Sequence, residues 1–436
     1  TGSLVDLPKR AVIISSVDHW RYIPPTSDYL DVPRLRSKVL SILHTSGKWN
    51  SKSVSLRLPP TPSDDGRNQN DTSGMLAWRF PTWYLCQNNN CRSLMQESAG
   101  ILEENKHGVL MHKCKVGDKK TWPVVPIRFL SGCLKGHIQD IDWTDFIHNG
   151  SPCPQTRGSD WNSPYYIYSL RNTGDLNDLM VACRNCTAQR SLGHLSNLQT
   201  TCSGGRPWMG PKNFEECEEQ ARLLIRTAPN SYFSHTVSAL ALPDYKHTLQ
   251  DLIHYFWSSL KKTKSKEQLL AVHEFIPGFS DYIDDKNLKD DFDNNDDFFF
   301  QTVFDEIEKI RSENPSGTGM IREEEWKVLI NQNMHDSPSE LPNNNSDFEA
   351  RKLDVDLPPT IEKIVLIHSL KEYRAQIGFS RFEFPSFSAE ADADLEHSTS
   401  EMCLLSDRHE WVPTIEVKGE GIFIAFSEEE IRKWEE

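Results

Sequence analysis

Nine of the ten cysteines fall between Cys86 and Cys217, and two of them, Cys183 and Cys186, stand at C-x2-C spacing. Such a knuckle lets backbone N–H groups donate to both sulfurs. With Cys202 and Cys217 it makes a four-thiolate set suited to tetrahedral zinc. A centre filled in this way is structural: it folds the segment rather than catalysing. Upstream, Cys133, His137, His148 and Cys153 follow the pattern C-x3-H-x10-H-x4-C, a second candidate set in which Asp140 or Asp142 could orient a ligand histidine. Cys86, Cys91 and Cys114 form a third cluster, with His112 the nearest fourth ligand. Buried free thiols are the plainer alternative for each set. Disulfides are the other, and metal-ligand spacing in a long chain favours zinc over them.

Other chemistries have weaker support. The sequence holds no G-x4-G-K-[ST], no H-E-x-x-H and no G-x-S-x-G, so a P-loop, a zincin helix and a nucleophile elbow are excluded from these residues. One nuclease-like fragment exists: Asp407 lies upstream of Glu416-x-Lys418 on an expected strand, the acidic pair and lysine that could hold magnesium and activate water. Acidic chains reproduce that triplet by chance. Asp291, Asp293 and Asn295 alternate as in an EF-hand loop, but Asp296 stands where the turn needs glycine and Thr302 where a bidentate Glu belongs, so a solvated loop is the reading. Candidates for nucleic-acid contact are Arg206 and Trp208 in GGRPW, Arg222 and Arg226 on an expected helix, then Asn230 and Tyr232. Arginine forks pair phosphate and aromatic rings stack on bases. In the structural alternative Trp208 packs against the zinc knuckle and the arginines pair with Glu215, Glu216, Glu218 or Glu219.

The elements that must position these residues follow from composition and periodicity. AVIISSVDHW and LRLPP predict strands, and TPSDDGRNQNDTSG (61–74) a loop or hinge before MLAWRFPTWYLC. From Cys86 to Cys217 the text is Gly- and Pro-punctuated, as short metal-stapled β elements require. EECEEQARLLIR (215–226) has helical spacing, and beyond residue 245 longer amphipathic helices are predicted in HTLQDLIHYFWSSLKK, FFFQTVFDEIEKIRSE and REEEWKVLINQ. NMHDSPSELPNNNSD (333–347) reads as a linker, 361–384 as a strand and helix, and WVPTIEVKGEGIFIAF as strands about a Gly turn. The expected fold is therefore α+β and multidomain: a strand/helix region over 1–66, a zinc-stapled β-rich region over 67–245, and an acidic, more helical α/β region over 246–436. Charge is divided the same way. Residues 1–250 carry 28 Lys+Arg against 22 Asp+Glu, or +6, and residues 251–436 carry 20 against 41, or -21. The first part can meet phosphates and the second repels them. No uninterrupted apolar stretch approaches the ~20 residues of a membrane span, and TGSLVDLPKR lacks the pattern of a secretory signal, so the expectation is a cytoplasmic protein without membrane contact.

SLVDLPKRAVIISSVDHW, LRLPP, RFPTWYLC, RFLSGCLKGHIQDIDWTDFIH, VACRNC, CSGGRPW, APNSYFSHTVSALALP, LKEYRAQIGFSRF and EVKGEGIFIAF, in this order, resemble the DrmB family, core subunits of the bacterial DISARM anti-phage system. The resemblance runs from about residue 3 to the end. It implies a non-catalytic, DNA-engaging subunit that partners an SF2-type helicase (DrmA-like), with the ATPase on that other chain. It also implies a few residues before TGSL, a further cysteine-containing, helicase-associated domain after GEGIF, and a paired cysteine near Cys114, where the sequence instead reads KCKVGD. A magnesium nuclease using Asp407, Glu416 and Lys418, and a purely protein-binding scaffold, are the alternatives.

Overall fold

The mixture of α and β expected from the sequence is the one found, with strands predominating through the cysteine-rich middle and helices concentrated between Trp257 and Ile330. The computed structural model describes residues 1–22, 28–45, 49, 53–61, 73–114, 121–154, 164–171, 175–197, 200–242, 249, 252–253, 256–260, 262–276, 278–285, 287–289, 292, 295–313, 321–330, 348–383, 402–407 and 411–435. Residues 62–72 of the loop read over 61–74, the linker over 333–347 and the calcium positions Asp291 and Asp293 lie outside them. Asn295 is described, and its side chain caps a helix by accepting from the Phe298 amide at 3.2 Å.

Four sheets are built from these strands. Leu4–Leu7 and Arg10–Ile14 form a hairpin that continues onto Ala77–Arg79. An eight-stranded antiparallel sheet runs in the order Gln189–Ser191, Leu179–Cys183, Tyr165–Ser169, Ser93–Gln96, Trp83–Cys86, Thr121–Pro126, Leu110–Lys113, Leu102–Glu104. Beside it a four-stranded sheet is ordered Ile138–Asp140, Phe129–Gly132, Gln220–Ile225, Thr200–Thr201. The last sheet is dominated by one long hairpin, Ile361–Ser380 against Trp411–Phe426, flanked by Phe233–Leu240 on one side and by Ser55–Arg57 and Tyr29–Leu30 on the other.

Three predicted elements are corrected. Residues 215–226 are not a helix: Gln220–Ile225 is a strand with paired neighbours on both sides, Phe129–Gly132 and Thr200–Thr201. Pairing on two edges outweighs a short helical periodicity. Residues 361–380 form one strand rather than a strand and helix, because Ala375, Ile377 and Phe379 alternate into the core while the backbone pairs with Phe233–Leu240 and Trp411–Phe426. WVPTIEVKGEGIFIAF does not turn at its glycines. It runs straight through them, and the register against Ile361–Ser380 shifts between Ile367 and Leu370, opposite Gly419 and Gly421, the kind of irregularity that glycines inside strands mark.

The helices Phe279–Asp285 and Asp296–Glu313 pack with Pro33–Thr45 and the hairpin around one continuous apolar core that includes Leu35, Phe256, Phe279, Phe299, Ala375 and Ile377. Arg381 ties the hairpin to the cysteine-rich part. Its fully buried guanidinium donates to the carbonyls of Gly136 at 2.9 Å, Gly2 at 2.8 Å and Ser231. The Gly136 carbonyl belongs to a turn between two cysteine-cluster residues, Cys133 and His137. Gly136 has φ +80° there, and a Cβ would run into the Cys403 sulfur, so no other residue fits.

Candidate metal centres

The eight-stranded and four-stranded sheets converge their loop ends on three groups of side chains, each made of three cysteines and one histidine: Cys86, Cys91, His112 and Cys114; Cys133, His137, Cys202 and Cys217; His148, Cys153, Cys183 and Cys186. Within each group the ligand atoms lie within 4.8 Å of one another, and each group could hold a metal ion. All ten cysteines are free thiols.

In the first group Cys86 closes the strand Trp83–Cys86, and Cys91 sits one tight turn later, its amide donating to the Asn88 carbonyl at 3.0 Å. His112 comes from Leu110–Lys113 and Cys114 follows it. Asn88 serves twice: its backbone N–H points at the Cys86 sulfur at 3.5 Å and its amide Nδ2 donates to the Cys114 sulfur at 3.2 Å. The Cys86 thiol donates to Cys91, which pushes Cys91 down and Cys86 up. His112 takes the fourth place, so the paired cysteine implied near Cys114 is supplied by an imidazole two residues earlier. Arg184 braces the turn by donating to the Cys91 carbonyl at 2.7 Å.

The second group is assembled by the four-stranded sheet. Cys133 leaves the strand Phe129–Gly132, His137 precedes its partner Ile138–Asp140, Cys202 follows Thr200–Thr201, and Cys217 precedes Gln220–Ile225. His137 Nδ1 lies 3.4 Å from Cys133 Sγ and 3.7 Å from Cys202 Sγ, while its Nε2 meets the Glu215 carboxylate at 2.5 Å. The carboxylate fixes the tautomer, leaving Nδ1 as the ligand atom. Neither Asp140 nor Asp142 orients a histidine: Asp140 accepts from Thr82, and Asp142 caps the helix Trp143–His148. Beside Cys202, Gly204 gives its N–H to the Cys202 sulfur at 3.3 Å at φ +68°, where a Cβ would overlap the Glu215 carbonyl oxygen. That close approach is why glycine stands there.

In the third group His148 ends the helix Trp143–His148, and an Asn149–Gly150 turn with positive φ at both residues leads to Cys153. His148 Nδ1–H donates to the Thr144 carbonyl at 2.8 Å, which frees Nε2, 3.4 Å from Cys186 Sγ. Cys183 ends its strand, with burial pushing its thiol up to about 11. The Cys153 and Cys183 sulfurs stand 4.0 Å apart, as do those of Cys133 and Cys217. Metal–sulfur bonds of about 2.3 Å and metal–nitrogen bonds of about 2.0–2.1 Å put the edges of a tetrahedron at roughly 3.8 Å for S–S and roughly 3.5 Å for S–N. The observed separations match those edges and are far too long for the ~2.05 Å of a disulfide.

The sequence partitioned these residues differently. Cys183 and Cys186 do not share a group with Cys202 and Cys217, and Cys133 and His137 do not share one with His148 and Cys153. The third group is nested inside the second along the chain, because Cys183 belongs to the eight-stranded sheet whereas Cys202 and Cys217 flank strands of the four-stranded one. Asn88 and Thr144, which hold ligand side chains, are not among the sequence-predicted residues, and Glu215, named only as a possible arginine partner, holds His137 as well as Arg206. Glu215 is one of four glutamates that flank Cys217 and carries no sequence signal that separates it from the others.

The predicted nucleic-acid residues do not form one surface. Trp208 is buried edge-on against Phe379 at 5.1 Å, where no base can reach it. Arg226 is buried and paired with Asp6, and Tyr232 stacks on Phe379 while its hydroxyl donates to the Thr1 carbonyl at 2.8 Å. Arg206 Nη1 is held by Glu215 and by Asp407, each at 3.1 Å. Arg222, on a strand rather than a helix, and Asn230 are exposed. The nuclease triplet is likewise dispersed into other contacts: Asp407 serves Arg206, and Glu416 faces Lys371 at 3.6 Å. Among the described residues no helix is long and apolar enough to cross a membrane.

Comparison with known proteins adds a family. The model of a domain of unknown function, DUF8724, matches residues 1–233, a span that contains all three cysteine–histidine groups. The chain is also similar to the DISARM protein DrmB of Bacillus paralicheniformis (strain ATCC 9945a / NCIMB 11709 / CD-2), with 27% identity over 365 residues, 81% of this chain. It spans 59% of the length of that relative.

Proposed function

The chain belongs to the DUF8724 family and is a DrmB-like member of it, and from that premise we propose a zinc-stapled, non-catalytic subunit of a DISARM-type anti-phage defence complex. One observation carries the reading: three closed sets of three thiolates and one imidazole, all inside the matched region. Such sets suit zinc, whose four protein ligands leave no open position for substrate, so the metal's contribution is to fold the segment. Cys86, Cys91, His112 and Cys114 would hold one ion, Cys133, His137, Cys202 and Cys217 a second, and His148, Cys153, Cys183 and Cys186 a third.

The remaining part of the reading rests on the resemblance to DrmB. The subunit partners an SF2-type helicase, which supplies the ATPase, and DNA is engaged by the assembled complex. The absence of a P-loop in this sequence supports that division of labour. Contact with DNA falls to exposed groups of the positively charged first part, of which Arg222 and Asn230 are two.

Co-purification with the helicase, followed by DNA binding at two salt concentrations, tests it. The complex should bind DNA more tightly than the helicase by itself, and Arg222→Ala should flatten the salt dependence by roughly one contact, about 0.9 in slope for duplex DNA. Failure to associate with the helicase would overturn the accessory-subunit reading. Magnesium-dependent cutting by the purified chain would favour the nuclease alternative instead.

A further inference from the structure

The far half of the long hairpin has one face packed and the other open. On the packed face Val365, Ile367 and Phe423 meet Val328 and Leu329 of the helix Ile321–Ile330. Register sets Leu366 opposite Ile422, Ile364 opposite Ile424 and Ile361 opposite Phe426, so these six alternate onto the other face. No described element covers it: Ile422 is 66% exposed, Ile424 43% and Phe426 58%, and their partners across the hairpin are half-buried. The helix Glu428–Glu435 follows directly and adds two more apolar side chains at i, i+3 spacing, Ile431 and the 87% exposed Trp434, while burying none of its own residues. Apolar side chains gathered in this way mark an interaction site, unlike single surface residues. A sheet face of this kind is buried under a further layer, as Ile321–Ile330 does on the reverse side.

Charge selects what that layer is. Residues 354–362, which lead into the hairpin, hold Asp354, Asp356 and Glu362 and no base, or -3; residues 427–435 hold four glutamates against Arg432 and Lys433, or -2. Both of those bases are engaged, Arg432 with Glu428 and Lys433 with Glu429 at 2.9 Å and Glu430 at 2.7 Å. The two segments meet where the Ser427 amide donates to the Thr360 carbonyl at 3.0 Å, so their acids border the Phe426 end of the open face. Arg351, level with Leu366, is a base at the opposite end. A second copy would bring the same acidic border against itself, and a phosphate backbone is repelled by it. A helix with an apolar stripe flanked by lysine or arginine matches both the face and its border.

We propose that this face docks a partner polypeptide through a basic amphipathic helix, its apolar stripe lying across Ile422, Ile424 and Phe426 and its cationic flanks on the acids of 354–362 and 427–435. The assignment rests on the reading of the chain as a subunit of a complex, for which the helicase is the partner to test.

The test uses the metal-loaded full chain with a leucine–lysine amphipathic helical peptide as probe, against its leucine–glutamate counterpart, read by fluorescence anisotropy and hydrogen exchange. The lysine peptide should bind saturably and protect residues 422–426, and the glutamate peptide should not. The Ile422→Glu/Ile424→Glu double variant, with melting and metal content unchanged, should lose about 30-fold or more in affinity; if it does not fold, Ile422→Glu decides. Asp356→Lys/Glu362→Lys should lose about tenfold at low salt and less at high salt. Ile415→Glu, exposed on the reverse face of the same strand, should lose nothing. The helicase subunit should rank the variants in the same order. Parent-like binding by the double variant, equal binding of the two peptides, no saturable binding, or self-association of the chain that the double variant abolishes would each overturn the docking assignment. If the peptide results hold and the helicase does not bind even the parent chain, the helicase reading falls and the docking face stands for another basic partner.

Discussion

The cysteine-rich sheets and the helical region around Phe279 are held together in different ways. Phe279–Asp285, Asp296–Glu313 and part of the long hairpin share one continuous apolar core. The cysteine-rich sheets have several separate clusters, and their members include the candidate metal ligands: Cys86, Cys91 and Cys114 in one, Cys183 in another, and Cys133 and Cys202 with Ala221 in a third. Where apolar burial is subdivided, each piece repays less of the entropy of ordering its strands, and a metal held at these centres would supply the difference. One region should therefore depend on metal and the other should not.

The largest expected effect is on local stability. Removing metal with a strong chelator under reducing conditions should strip hydrogen-exchange protection from Trp83–Cys86 and Leu179–Cys183, while Phe279–Asp285 and Asp296–Glu313 stay protected. Uniform loss across both regions would break the contrast. The reciprocal experiment is Phe279→Ala, which should cost about 3–5 kcal/mol by emptying a buried ring site, with the metal content of the folded protein unchanged.

Both regions were legible in the sequence, but to different depths. The ligand residues stood out by type, since cysteines at close spacing have few other uses, and Asp296–Glu313 and Ile321–Ile330 fall on predicted helices. The sharing of ligands was hidden, because which pairs meet is decided by strands far apart in sequence. Phe129–Gly132 binds Gln220–Ile225 across the whole of the nested third group. The same long-range pairing turned the expected helix at 215–226 into a strand. Residue type leaves Trp208 and Arg206 open between base stacking and phosphate pairing on one side and packing on the zinc knuckle and pairing with Glu215, Glu216, Glu218 or Glu219 on the other, and the Glu215 pairing of Arg206 is the part that holds. One packs on Phe379 and the other bridges Glu215 and Asp407, partners 9 and 201 residues away that only the fold brings near.

Smaller effects sharpen the comparison within the metal region. Glu215→Gln weakens the hold on His137 and should lower the metal affinity of that centre about 10–100-fold, leaving the other two filled, as a chromophoric chelator titration would show. Helix caps give the finest contrast. Asp142→Ala and Ser265→Ala each remove a capping acceptor and should each cost about 1 kcal/mol. Asp142→Ala should also loosen the centre that contains His148, since that histidine ends the capped helix, whereas Ser265→Ala should leave every centre untouched in thermal melts followed with metal-release assays.

Quantitative metal analysis of the purified, reduced chain tests the central claim most directly. Three closed centres predict close to three equivalents of zinc per folded chain, released together with loss of the cysteine-rich sheets. A folded chain that keeps one equivalent or none, with its thiols reduced and intact, would contradict the account.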